Sequence, residues 1–188
     1  MSTLTQTPGA DHARGDRPLL VRLGVVLAAY LVAGAGAGVL WERLWEPPAG
    51  LTYQGRWFLE PAGPDVSFAS IALFVVIAFP LGLGLALAAG TRRGDELATV
   101  VAVLLAAVVA AVVMYAVGRA LGPGDPQALA AGEPDYTPIS GELGLTAPDP
   151  ERVGWHSTAL LAFPAGAMTG LVISYLLITR RFAARPRG

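Results

Sequence analysis

Cysteine and lysine are both missing from this 188-residue chain, and charge of either sign is scarce. Without cysteine there is no disulfide, no lipobox anchor and no thiolate chemistry. All 13 basic residues are arginine. That bias, beside abundant alanine and glycine, points to a GC-rich bacterial genome and not to a mechanism. Charged residues make up 14% of the chain, against about a quarter in soluble domains. The hydrophobic share is 54% and the mean hydropathy +0.54.

The deficit is concentrated. No Asp, Glu, Lys, Arg or His occurs within Leu23–Leu40, Ile71–Gly90, Ala98–Gly118 or Ala159–Thr179. A helix rising about 1.5 Å per residue needs about 20 residues to cross a hydrocarbon layer about 30 Å thick. Four spans are therefore expected, at Leu19–Leu40, Phe68–Gly90, Leu97–Leu121 and Trp155–Thr179. The expected fold class is all-α integral membrane, an up-down bundle of four transmembrane helices. The remaining pieces are an N-tail (1–18), a first loop (Trp41–Ser67), a short turn (Thr91–Glu96), a second loop (Gly122–Gly154) and a C-tail (180–188).

The first span, with its Arg14, Arg17 and Arg22 lead, has some features of a signal peptide. Its apolar run exceeds the usual 7–15 residues of a signal h-region (about one span's length), and Asp11 and Asp16 interrupt the lead, so a retained anchor is expected.

Nine arginines (Arg14, Arg17, Arg22, Arg92, Arg93, Arg180, Arg181, Arg185, Arg187) sit on the tail-and-turn side, and four (Arg43, Arg56, Arg119, Arg152) on the other. Basic residues resist translocation, so both termini are expected in the cytoplasm of a bacterial plasma membrane. Ten acidic residues fall on the loop side and should give it a negative surface. Trp41, Trp45, Trp57 and Trp155 map there too. Trp41, Trp45 and Trp155 flank spans, where an indole can bury its ring and hydrogen-bond among headgroups.

The short turn with Gly94 predicts that the second and third spans are antiparallel neighbours. The first loop begins as a helical extension, Trp41–Glu46, stopped by Pro47 and Pro48. Leu51–Leu59 is β-prone around Gln54-Gly55 and predicts a short hairpin. The second loop has too few apolar residues (Ile139, Leu143, Leu145, with Tyr136) for a core of its own. The two loops are expected to pack together as a small extracytoplasmic cap, with a disordered pair as the alternative.

Residues able to carry chemistry are few. Pro80 and Pro164 each remove a backbone hydrogen bond and predict helix kinks, which serve packing or, alternatively, a transport site. Gly34 with Gly38 and Gly166 with Gly170 place small residues on one helix face, as do Ala106/Ala110 and Ala107/Ala111, and predict close helix packing. Ala78-Phe-Pro-Leu-Gly82 is echoed by Ala162-Phe-Pro-Ala-Gly166, each ahead of a Thr-Arg-Arg. The echo suggests a duplicated two-helix unit, although Pro80 precedes its arginine pair by 12 residues and Pro164 by 16.

Polar side chains inside the spans are hydroxyls only: Tyr30, Ser70, Thr99, Tyr115, Thr169, Ser174 and Tyr175. Ion- or proton-coupled carriers usually place a carboxylate, His or Arg there. Arg119 and His156 lie near span ends, within reach of headgroups. Arg119 is expected to pair with an acidic loop residue rather than a lipid phosphate. His156 with Asp149 and Glu151 forms the one group resembling a metal or acid–base site, but the spacing fits no ligand motif. No Walker loop, nucleophile elbow, zincin motif or dinucleotide fingerprint is present.

The junction Leu40-Trp-Glu-Arg-Leu-Trp-Glu-Pro-Pro48, followed after the third span by Leu121-Gly-Pro123, resembles an uncharacterised family of small four-span membrane proteins from actinobacteria, a domain of unknown function. The resemblance covers about Leu20 to Leu177. It implies a plasma-membrane location and brings no activity, cofactor or catalytic residue. The expected function is a non-enzymatic membrane protein, a scaffold or accessory subunit presenting an acidic cap to a partner. A small transporter or channel component and an interfacial enzyme using His156 are the alternatives. Expected partners are the lipid bilayer and another membrane or envelope protein, with no nucleic acid; homo-oligomerisation is an open alternative. No catalytic residue, cofactor or metal is assigned.

Overall fold

A computed structural model describes residues 12–60, 65–91, 96–145 and 157–183. The chain is mostly helical. The charge-free runs become α1 (His12–Leu44), α2 (Asp65–Gly90), α3 (Glu96–Leu121) and, after a 3₁₀ turn at Thr158–Leu161, α5 (Ala162–Ala183). Each contains a stretch long and apolar enough to cross a membrane. α1 starts within the expected N-tail and runs on through Arg43 before Pro47-Pro48 ends it.

Small residues decide which helices pair. A Cβ on Gly34 would lie 2.6 Å from the Ala110 carbonyl oxygen, and one on Gly38 would lie 2.6 Å from that of Met114. Gly118 lies under the Trp41 ring. These contacts ascend together along α1 and α3, so the two helices run parallel. α2 and α5 pair in the same sense: Phe79 meets Gly166, Leu83 meets Gly170 and Gly90 meets Ser174. Such close approach brings Cα–H groups onto carbonyl oxygens, about 0.5–1 kcal/mol each, and supplies the dispersion contact that membrane helices rely on. All four glycines expected to pack helices therefore lie at helix–helix contacts.

α2 and α3, expected as antiparallel neighbours, do touch, but theirs is not the main pairing. α1 packs mainly on α3 and α2 mainly on α5, while α2 and α3 touch sparingly. Chain proximity lost to shape, because only the glycine faces let backbones come this close.

The echoed motifs meet each other. The Phe79 carbonyl lies on Gly166 and the Phe163 carbonyl lies on Gly82, the same contact with the roles exchanged. That reciprocity is a local two-fold relation between α2 and α5. Pro80 lies inside α2. Pro164 corrects the sequence expectation: it occupies the third position of α5, behind a 3₁₀ turn capped by the Ser157 side chain. First-turn N–H groups have no intrahelical acceptor, so a proline there starts a helix without kinking it.

The parallel pairs join through aromatic residues. Tyr30 of α1 is buried against Phe163, ring centroids 5.8 Å apart, and its hydroxyl donates to the Gly82 carbonyl at 3.4 Å. Trp41 meets Phe74 edge-on at 5.1 Å.

At the α1 C-terminal end, both inter-helix segments build one three-stranded sheet. β1 (Ala49–Tyr53) and β2 (Arg56–Leu59) form the expected hairpin, and β3 (Pro138–Ser140) from the second segment adds to the free side of β1, in the order β2-β1-β3. Gln54 and Gly55 have φ of 51° and 69°, the pair of positive values that a two-residue hairpin turn needs to match strand twist. A five-residue helix, α4 (Pro126–Ala130), packs beside β2; Asp125 caps it by accepting from Gln127 N–H at 2.9 Å. The sheet with α4 is referred to below as the cap.

Candidate functional site: the cap and its base

One side chain stitches the three strands. The Trp57 indole lies across Gly50, where any Cβ would collide with it, and its Nε1–H donates to the Ile139 carbonyl at 3.0 Å. The outward N–H and C=O of Trp57 would leave an open sheet edge. The Gln127 amide occupies both, accepting from Trp57 N–H and donating to Trp57 C=O, each at 3.2 Å. α4 thereby blunts the edge against another strand. Thr52, fully buried, binds the second segment: its hydroxyl donates to the Pro134 carbonyl at 2.5 Å and accepts from Thr137 N–H at 2.9 Å.

The cap is fixed to the helices from below. Leu143 and Leu145 are buried among them, and Ser70 Oγ donates to the Gly144 carbonyl at 2.7 Å. Arg119 Nη2 meets Glu142 Oε2 at 2.8 Å, while Nη1 donates to the Tyr115 hydroxyl at 3.3 Å. The pairing of Arg119 with an acidic loop residue is thus present. Both partners are about a third exposed, so the ion pair sets position more than stability.

Trp41 and Trp45 depart from the expected headgroup contact. Trp41 is fully buried, with Nε1–H donating to the Ser70 carbonyl at 3.0 Å, and Trp45 is buried as well. The reason is local. Gly118 leaves room in the α1/α3 seam that the indole fills, and the N–H finds a backbone acceptor inside the protein. Trp155 and His156 lie outside the described residues, as do Asp149 and Glu151.

Pleating divides the sheet's faces. Gly50, Thr52 and Trp57 turn inward and are buried. Leu51, paired with Phe58 and Pro138, and Tyr53, paired with Arg56, share the opposite face. On it Phe58 is 48% exposed and Tyr53 is 44% exposed. Tyr136 leans on Tyr53, with ring centroids 5.9 Å apart, and is itself 68% exposed. Tyr136 sits at φ 67°, unusual for a ringed side chain. Its N–H donates to the Thr52 carbonyl at 2.7 Å, which holds it there. Glu60, Glu133 and Asp135 are exposed nearby in the chain, and Asp135 accepts from Gln54 N–H at 2.7 Å. The result is a sheet face of exposed aromatic residues that also carries Arg56, with the Asp135 carboxylate at its turn.

Among the described residues, the buried polar side chains are the hydroxyls of Thr52, Ser70, Thr99 and Ser174, apart from tyrosine. No group of three or more His, Asp or Glu among the described residues is placed to hold a metal. Among the described residues the geometry offers surfaces for contact. Sequence reasoning missed Gln127 and the Tyr53–Tyr136 pair. The Asp125-Pro126 start signal marks α4, but only the folded cap shows what Gln127 reaches. Comparison with protein-family models, with curated proteins and with solved structures gives no match.

Proposed function

We propose that this is a non-enzymatic integral membrane protein, a scaffold or accessory subunit, whose cap docks another membrane or envelope protein. One observation carries the reading: the exposed aromatic face of the sheet. Away from lipid, water-facing apolar patches tend to mark interaction sites, and tyrosine and phenylalanine are enriched in interface cores. The loop side carries ten acidic residues against four arginines, Arg56 on the aromatic face among them, and this excess favours a partner with a basic surface.

The arginine split supports cytoplasmic termini and an extracytoplasmic cap in a bacterial plasma membrane. The two junctions that resemble the actinobacterial four-span family, Trp41–Pro48 and Leu121–Pro123, adjoin the cap, and membership of that family belongs to the proposal.

Two measurements test it. A single cysteine at exposed Gln54 or Gly132 should react with an impermeant thiol reagent on intact cells, and one at Gly94, between α2 and α3, only after lysis; the reverse pattern refutes the orientation. For the function, wild-type protein and the Tyr53→Glu/Phe58→Glu double variant are purified from native membranes under mild detergent. Mass spectrometry should find a protein held by the wild type and at least tenfold depleted with the variant, with both forms folded by circular dichroism. Equal recovery with both removes the sheet face as the docking site.

A further inference from the structure

Tyr136 is held in a left-handed backbone conformation that is costly for a ringed residue, and its side chain is mostly exposed. So exposed a ring buries little apolar surface, so packing does not repay the strain. The backbone is nonetheless locked on β1. Besides the Tyr136 N–H bond to Thr52, Thr137 N–H donates to Thr52 Oγ1 at 2.9 Å, and the Thr137 hydroxyl donates to the Pro134 carbonyl at 2.8 Å. Strain held by so many bonds is typical of places where geometry is part of function.

What the lock presents is a pair of rings. Tyr53 and Tyr136 are both exposed, with centroids 5.9 Å apart and planes inclined at 52°. Ring faces attract a cation within about 6 Å of the centroid, and rings this close let one cation satisfy both. Asp135 precedes Tyr136 and is tied by Oδ1 to the N–H of Gln54, which follows Tyr53, so a carboxylate sits beside the rings. Its other oxygen has no partner among the described residues. Arg56, the cation on this face, pairs with Tyr53 from β2. The order β2-β1-β3 puts it on the flank of β1 away from Tyr136, and among the described residues it makes no ion pair with Asp135.

We propose that the notch between Tyr53 and Tyr136 takes an arginine side chain of the partner protein, its guanidinium over the rings and against Asp135. This rests on the docking role proposed for the sheet face and names the chemistry that role recognises. A guanidinium is planar and weakly hydrated, stacks on aromatic faces and gives paired N–H donors to a carboxylate, which an ammonium does less well. An anion is turned away by Asp135 and by the acidic excess of the loop side, and a neutral apolar group gains nothing from the carboxylate.

The test uses the full chain in detergent with isotope-labelled tyrosine rings, followed by NMR, with Tyr53 and Tyr136 assigned from their Phe variants. The probes, at matched ionic strength, are acetyl-arginine amide, acetyl-lysine amide and acetyl-citrulline amide, the last a neutral copy of arginine. The arginine probe should shift Tyr53 and Tyr136 together and bind roughly fivefold more tightly than citrulline, with lysine weaker than arginine. Asp135→Asn, which keeps an acceptor for Gln54 N–H, should weaken arginine binding by about the same factor. Tyr136→Leu keeps apolar bulk without a ring face and should abolish the preference for arginine over citrulline, whereas Tyr136→Phe should keep it. If Tyr136→Leu does not fold, Asp135→Asn and citrulline decide. Parity of arginine with citrulline or with lysine, unchanged binding in Asp135→Asn, or a preference surviving Tyr136→Leu each overturns the site. Failure of the arginine probe while Tyr53→Glu/Phe58→Glu still releases the partner overturns the arginine site and leaves the docking role standing. Binding of the probe while that double variant still holds the partner overturns the docking role and, with it, the partner as the source of the arginine.

Discussion

Replacing Gly34 and Gly38 together by leucine is expected to lower the thermal midpoint in detergent on the order of 10 °C. Leucines at the exposed Val25 and Val32 of the same helix should leave it nearly unchanged. A Cβ at either glycine meets backbone of α3 at 2.6 Å, and backbone cannot rotate away as a side chain would. The helices must separate, and the loss spreads along the whole α1/α3 seam. Overpacking costs about 1–3 kcal/mol per site, and the two sites strain one contact, so the effects will not simply add. Equal midpoints for the glycine and valine variants would remove the seam from the account of stability.

The second large effect belongs to Trp41. Trp41→Ala should destabilise by about 3 kcal/mol, the lower end of the range for removing a buried tryptophan. The lower end applies because lipid solvates an apolar group almost as well as the protein interior, leaving the cavity and the lost contacts to dominate. Those contacts are with Phe74, Tyr115 and Gly118, and the Ser70 carbonyl also loses its donor. Trp41→Phe keeps a ring and should cost only about 1 kcal/mol more than a neutral change, the worth of the indole hydrogen bond. Unfolding in a denaturing-detergent titration reads both. If Trp41→Ala behaves like Val32→Ala at the protein surface, the indole carries no packing role.

Much of the fold was legible because charge is so costly in an apolar layer that four uncharged runs leave little choice. The hairpin was legible for a different reason: Gln54-Gly55 tolerates the positive φ that few other pairs do. Helix pairing was harder. These helices are apolar on every side, so no stripe of polar residues marks the exposed face, and the short α2–α3 turn pointed to a neighbour but not to the main partner. Gly34, Gly38, Gly166 and Gly170 did carry the information, but which helix would receive each glycine was not in the sequence pattern. Trp41 misled because a tryptophan at a span end suits both headgroups and a seam, and Gly118, some 77 residues later, decides between them. β3 was invisible as a strand, because Pro138-Ile-Ser140 is too short to show alternation and exists only because β1 offers an edge.

The parallel pairing of α1 with α3 and α2 with α5 also has a meaning in time. A ribosome delivers the chain from its N-terminus, so α1 emerges before its main partner exists, and so does α2. α1 and α2 must wait, lightly joined, until α3 arrives to claim α1. Only α5, which follows α3 in the chain, can complete the second pair. Quality control that samples loosely held helices would therefore see α1 and α2 as unfinished until α3 and α5 are in place.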